Sequence, residues 1–273
     1  MRKTDAFNSG KVPIVSSTLT FSQNDIPFPV KGASIVALHF DLAGAGNTLA
    51  NILRIRLRAN GLSYWDLTPT ELRAYYSAFA LNSLDWGASA TRFTIPLCLI
   101  DVEDEDAADR VAAPLNHNLQ VDLAYGATAL TTPQTFIGWT ISDVEPIFAP
   151  TLIGRPTNYA ASQTNAKVNL AEGGFLRAML LPNQATGYTR WRIVSNAEQR
   201  YAGRPAIIQG ANDYHDTAAL AASFISAKFI GMPTVPPGGS YVEFDSGAGA
   251  ATSDELVAHV LTPQPAVPAP AAA

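Results

Sequence analysis

The chain has 273 residues, 47% apolar and 15% charged, with a net charge of −5. This composition suits a globular core and excludes a disordered chain, and the acidic balance excludes a general nucleic-acid binder, which needs a basic face. The single cysteine, Cys98, excludes a disulfide-stapled scaffold, and no apolar run reaches the length of about 18 residues that a spanning helix needs.

Residues 1–15 read as an N-terminal arm in which Arg2, Lys3 and Lys11 outweigh Asp5. Such an arm suits a loose terminus or contact with an anionic surface. It lacks the apolar centre of a signal peptide, so a soluble protein outside classical secretion is expected. A first strand is expected over 16–24, where Thr18, Thr20 and Phe21 favour extended backbone. A second, mostly buried, covers 33–42 with Ile35, Val36, Leu38 and Phe40.

Residues 51–80 form one phrase. Leu53, Ile55 and Leu57 alternate with Arg54, Arg56 and Arg58, which predicts a strand with one apolar and one cationic face. Asn60-Gly61 marks a turn. Thr68, Pro69 and Glu71 then have the spacing of a capping box, and Leu72, Tyr75, Tyr76 and Phe79 line one face of a helix.

Further strands are expected over 92–100, 119–125 and 135–144, with Pro96 placing the first at an edge or a bulge. Between them, 101–109 is an acidic loop. Residues 146–164 hold three prolines with few periodic apolar positions and read as a connector running over the surface. Strands resume at 167–171, 175–181 and 188–196, where Arg190 and Arg192 oppose Trp191 and Ile193. Residues 205–216 read as a short helix or an irregular turn. Strands follow at 224–230, 241–245 and 255–261, then a Pro/Ala-rich tail over 263–273 with an extended, polyproline-like composition.

The second half echoes the first. With an offset of 136, Arg54, Arg56, Asn60 and Pro69 fall on Arg190, Arg192, Asn196 and Pro205. With an offset of 121, Val121, Asp122 and Leu123 fall on Val242, Glu243 and Phe244, and Phe136 falls on Leu256 at 120. The matches are collinear, and each copy is the size of a domain. The helix face echoes poorly, so the second helix is expected to be shorter or irregular. Many short strands without a βαβ rhythm point to an antiparallel sandwich, of which the eight-stranded form is the jelly roll. The organisation expected is an arm over 1–15, a first jelly roll over 16–148, a connector over 149–165, a second jelly roll over 166–262 and a tail over 263–273.

In this arrangement, carried by IVALHFDL, NILRIRLRANG, the helix from Thr68, NLQVDLAYG and TFIGWTISD, then FLRAMLL, YTRWRIVSN, SYVEFDS and ELVAHVL, the chain resembles the double jelly-roll major capsid proteins of membrane-containing icosahedral phages of the corticovirus and tectivirus kind. The resemblance covers about residues 15–262 and implies an all-β double jelly roll with a short helix in a loop of each roll. It implies a structural, non-enzymatic protein of the virion, made in the host cytoplasm. Its implied partners are itself, as a pseudo-hexagonal homotrimer and in neighbouring capsomers, a pentameric vertex protein, and an internal lipid membrane met by the arm and the tail. It implies no specific nucleic acid and no catalytic residues.

Other chemistry is weakly signalled. His39, His117, His215 and His259 lack the His-x-His spacing of a cupin metal site. Asp101, Glu103, Asp104 and Asp106 offer the carboxylates calcium prefers, without the spacing or glycine of an EF-hand loop, and a solvated loop is the simpler reading. The arginine rows, Arg54, Arg56 and Arg58 with Arg190 and Arg192, are either the wet face of a sheet or interface residues, since guanidinium groups suit planar paired contacts. A carbohydrate-binding β-sandwich, such as a viral spike or lectin, is the alternative function, and a bicupin enzyme a more distant one.

Overall fold

The computed structural model describes residues 3–4, 10–13, 18–22, 34–59, 62–78, 90–96, 113–114, 119–126, 131–142, 148–170, 173–182, 187–213, 224–229, 239–248 and 252–263. The first half contributes β1 (Lys3–Thr4), β2 (Gly10–Pro13), β3 (Thr18–Ser22), β4 (Ser34–Ala45), β5 (Ile52–Ala59), β6 (Leu62–Leu67), helix α1 (Pro69–Ala78), β7 (Arg92–Pro96), β8 (Ala113–Pro114), β9 (Leu119–Tyr125) and β10 (Thr131–Ser142). The second half contributes β11 (Phe148–Tyr159), β12 (Ala166–Asn169), β13 (Phe175–Pro182), β14 (Tyr188–Ser195), β15 (Glu198–Gly203), helix α2 (Pro205–Asp213), β16 (Phe224–Lys228), β17 (Tyr241–Ser246) and β18 (Thr252–Pro263).

The pairing reveals one topology used twice. In the first half, one sheet runs β2-β10-β4-β7 and the other β3-β9-β5-β6, with β1 also on β10 and β8 on β4. In the second half the sheets run β11-β18-β13-β16 and β12-β17-β14-β15. Setting aside the short β1 and β8 and counting the rest in chain order, each half pairs its first, eighth, third and sixth strands, then its second, seventh, fourth and fifth. Two sheets interleaved in this way are a jelly roll. Each roll carries its helix between its fifth and sixth strands.

The rolls share a sheet. β6 of the first pairs in parallel with β11 of the second, through Leu152↔Trp65 and Ile153↔Asp66, so one eight-stranded sheet runs through both. This joint sits between Pro150 and Pro156, whose missing N–H groups confine further pairing.

Alternation decides which faces are buried. Ile55 and Leu57 face the first core with Phe40, Phe93, Ile95, Val121 and Leu123, all nearly inaccessible to solvent. Phe40 and Phe93 stack with ring centroids 4.6 Å apart. The second core gathers Leu176, Met179, Trp191, Ile193, Ile208, Phe244 and Leu256, with Tyr188 stacked on Trp191 at 4.6 Å. Each such side chain contributes about 1.5–3 kcal/mol by leaving water.

Several expectations need correction. The connector expected at 149–165 is strand over most of its length, because β11 pairs with β18 from Phe148↔Pro263 to Tyr159↔Thr252. The second roll therefore begins at Phe148 and not at 166. Two pieces of the 1–15 arm join the sheet on β10, as Lys3↔Ser142 and Lys11↔Phe136. The second helix is one residue shorter than the first, within the expectation, and it is regular. The offset of 136 holds through it: Leu72 and Ile208 are both buried, and their N–H groups donate to the carbonyls of Thr68 and Arg204. β7 lies at the edge of its sheet, as Pro96 suggested, and 97–100 of the expected strand lie outside the described residues. Cys98 and the tail from 264 lie outside the described residues.

Candidate interface at the arginine rows

On β5 the residues that alternate with Ile55 and Leu57 point away from the core, so Arg54, Arg56 and Arg58 form the row the sequence anticipated. Each has a carboxylate partner. Arg56 Nε lies 3.1 Å from Asp66 Oδ1 on β6, and Arg58 Nη1 3.5 Å from Asp122 Oδ2 on β9. On β14, Arg190 Nε lies 2.9 Å from Asp245 Oδ2, and its Nη2 donates to Asn165 Oδ1 at 2.8 Å. Arg192 Nη1 lies 3.0 Å from Glu243 Oε2, an ion pair out of line for a hydrogen bond. Lys167 Nζ, on β12, approaches the other Glu243 oxygen at 3.4 Å.

The two rows are thus the same device. In each roll the seventh strand sets a nearly buried carboxylate, Asp122 or Glu243, beside the arginines of the fourth. The paired register Arg56↔Asp122 matches Arg192↔Glu243, at the positions the internal repeat equates. The acids were legible as the polar members of alternating strands, Asp122 between Val121 and Leu123, and Glu243 between Val242 and Phe244.

Arg54 differs, because its guanidinium spans the two rolls. Its Nε donates to Asp66 Oδ1 and its Nη2 to the Asp66 carbonyl at 3.0 Å, while Nη1 donates to both oxygens of Glu255 on β18 at 2.9 Å. Burial alone would lower the guanidinium pKa, but the bonds to Asp66 and Glu255 outweigh it and hold the pKa above its ordinary value. Gly154 on β11 borders the pair, where an added Cβ would collide with Glu255 Oε2 and sit 3.3 Å from Arg54 Nη2.

Glu71 completes the junction. Its backbone N–H donates to Thr68 Oγ1 at 3.2 Å, and Glu71 Oε2 accepts the Thr68 N–H at 2.8 Å, the reciprocal cap the sequence predicted. The same carboxyl is buried. Burial first, then the Glu255 charge, acting against the Thr68 bonds, pushes its pKa up to about 7. Helix α1 packs against both β5 of its own roll and β16 of the other. Sequence reasoning found the cap and missed this second role, since Glu255 is remote in sequence.

Asp101, Glu103, Asp104 and Asp106 lie outside the described residues, as do His117 and His215. Among the described residues no cluster of three metal-ligating side chains occurs. His39 Nδ1 lies 3.0 Å from Thr94 Oγ1.

No protein-family model and no curated protein matches the chain in sequence. Solved structures do match in fold. The major capsid protein P2 of bacteriophage PM2 superposes with a TM-score of 0.70 at 9% identity, over 95% of this chain and 99% of that one. The STIV major capsid protein gives 0.59 at 12% identity, over 93% and 96%. The PBCV-1 virus capsid gives 0.56 at 10% identity, over 96% and 94%. Likeness over nearly the whole of each chain, together with the twofold strand order, identifies the architecture: the chain is a double jelly roll.

Proposed function

We propose that the chain is the major capsid protein of an icosahedral virus, a structural protein that assembles as pseudo-hexagonal homotrimers. One observation carries the reading: the edge that is covered in the first roll is open, among the described residues, in the second. β6 is covered on its outer side by β11 of the second roll at Trp65 and Asp66. Its counterpart in the second roll is β15, where Tyr201 and Ala202 occupy the equivalent positions, 136 residues on. Among the described residues β15 pairs only with β14.

The helices repeat the contrast. Glu71 is buried against the second roll, whereas its equivalent, Ile207, is a large hydrophobic side chain 63% exposed. A second copy presenting its first roll would cover β15 and Ile207 much as the second roll covers β6 and Glu71. That contact is heterologous, and heterologous contacts close into rings when the rotation permits. Three chains of two similar rolls then give six similar joints. The capsid role of the PM2, STIV and PBCV-1 proteins, which share the fold from end to end, supports the same reading.

The finer parts of the proposal follow. A pentameric protein closes the vertices, where a six-cornered unit does not fit. A lipid membrane beneath the shell meets the N-terminal residues and the Pro/Ala tail, as in membrane-containing phages. The site is one of assembly and not of catalysis. The experiment is electron microscopy of the purified protein and of particles containing it. Capsomers with a six-cornered outline on a shell lattice are expected. A dispersed monomer that binds glycans would instead favour the carbohydrate-binding alternative.

A further inference from the structure

The joint between the two rolls has a counterpart, position by position, at edges that the chain leaves open. In the joint, β6 pairs in parallel with the middle of β11, Trp65 beside Leu152 and Asp66 beside Ile153. The counterpart of β6 is β15: Arg56↔Asp66 and Leu57↔Trp65 recur as Arg192↔Ala202 and Ile193↔Tyr201, at the offset of 136. The counterpart of β11 is β1 with β2. β11 lies against β18, and β1 and β2 lie against β10, which matches β18 at the offset of 120. Thr4↔Ile141 therefore answers to Pro150↔Leu261, Gly10↔Ile137 to Gly154↔Val257, and Lys11↔Phe136 to Arg155↔Leu256. The match keeps a glycine followed by a cation. Counted back from Gly10, Asn8 and Ser9 hold the places of Leu152 and Ile153 in the chain order.

We propose that β15 of one copy takes the stretch leading into β2 of another as an added parallel strand, with Ala202 beside Ser9 and Gly203 beside Gly10. Both edges are open to it: among the described residues β15 pairs only with β14, β2 pairs only with β10, and Ala202 is exposed. An open edge presents a row of backbone donors and acceptors, and an added strand satisfies them. No proline interrupts 198–203 or 5–12, whereas Pro150 and Pro156 bound the joint inside the chain. The ionic bridge of that inner joint is not repeated. Ala202 stands in place of Asp66 and Thr135 in place of Glu255, while Arg190, in place of Arg54, is held by Asp245 and Asn165. The joint between copies is therefore made by backbone hydrogen bonds and not by a bridging ion pair. It rests on the assembly reading above and adds to it the strand, its direction and its register.

The test is disulfide trapping in the full-length chain carrying Cys98→Ser, beside the mass in solution of the wild type. Neighbouring strands lie about 4.8 Å apart, within the Cα separation that a disulfide spans. Ser9→Cys with Ala202→Cys, and Lys11→Cys with Arg204→Cys, should each give covalent trimers on oxidation, because every chain bonds to the next around a closed ring. Any of these cysteines alone should give none, since the contact joins unlike positions. Lys11→Cys with Arg200→Cys, the pair that an antiparallel strand in the same place would bring together, should stay unlinked. A trimeric wild type whose first two cysteine pairs do not link, or whose 11 with 200 pair links as readily as 11 with 204, would overturn the strand pairing and leave the assembly reading standing. A monomeric wild type would overturn both.

Discussion

Arg54 Nη1 donates to both carboxylate oxygens of Glu255 at 2.9 Å, across 201 residues of chain and from one jelly roll to the other. The same guanidinium holds Asp66, so one side chain serves β5, β6 and β18. Removing it leaves Glu255 without its counter-charge and Asp66 with Arg56 alone. Arg54→Ala should therefore destabilise the chain by about 2–3 kcal/mol, the cost of stranding partly buried carboxylates. Arg54→Lys should restore little, because an ammonium lacks the planar fork that serves two acids at once. Urea midpoints of the two variants check this, and a rescue by lysine would contradict it.

Gly154 tests the junction from the other side. A methyl group there meets Glu255 Oε2, and Glu255 is fixed by Arg54 and cannot simply swing aside. Gly154→Ala should cost about 1–3 kcal/mol, as overpacking does. Gly210, with open space around its Cβ position, is the control. Gly210→Ala, inside α2, should stabilise by up to about 1 kcal/mol through helix propensity. Thermal unfolding of the two variants should move in opposite directions.

Glu71 ties stability to pH in an unusual direction. Its folded-state pKa is raised to about 7 from 4.5, so between those values the folded chain holds more protons than the unfolded one. Stability contributed by this group is therefore present at low pH and falls as pH rises through the interval, by about 3 kcal/mol in all. The difference between wild type and Glu71→Gln in urea denaturation at pH 5 and pH 8 isolates it. Relative to wild type, the glutamine variant should gain stability at pH 8.

The hairpin between β14 and β15 holds a correctable strain. Asn196 and Ala197 both adopt positive φ, at 54° and 59°, and asparagine accepts this better than alanine. The corresponding pair in the first roll is Asn60-Gly61. Ala197→Gly should stabilise by about 0.5–1 kcal/mol, the left-handed penalty less the greater freedom of glycine when unfolded. A loss of stability in thermal unfolding would contradict this.

The parts of the fold that were legible are those with local periodicity. The Arg54–Arg58 row, the Thr68–Glu71 cap and the echo at Arg190–Arg192 each follow from spacing alone, and the duplication led to two eight-stranded rolls. Of the strands that escaped, three did so for identifiable reasons. Pro150 and Pro156 disguised β11, which tolerates them because its outer side is paired only at Leu152 and Ile153. β15 is solvent-exposed at an edge, so no apolar alternation marks it. β6 follows β5 after two residues and was absorbed into the approach to the helix. The junction itself was invisible, since Arg54 and Glu255 are joined only by tertiary structure.

The central claim is that the second roll's open face, β15 with Ile207, receives the first roll of another copy. Its most direct test is the mass in solution of the wild-type chain beside Ile207→Glu and Ala202→Pro, with circular dichroism to verify folding. The wild type should run as three chains of 29.0 kDa. Both variants should remain folded and fall to single chains, one by charging the contact and the other by removing a backbone donor from the edge. A wild-type monomer, or folded variants that still form the trimer, would contradict the account.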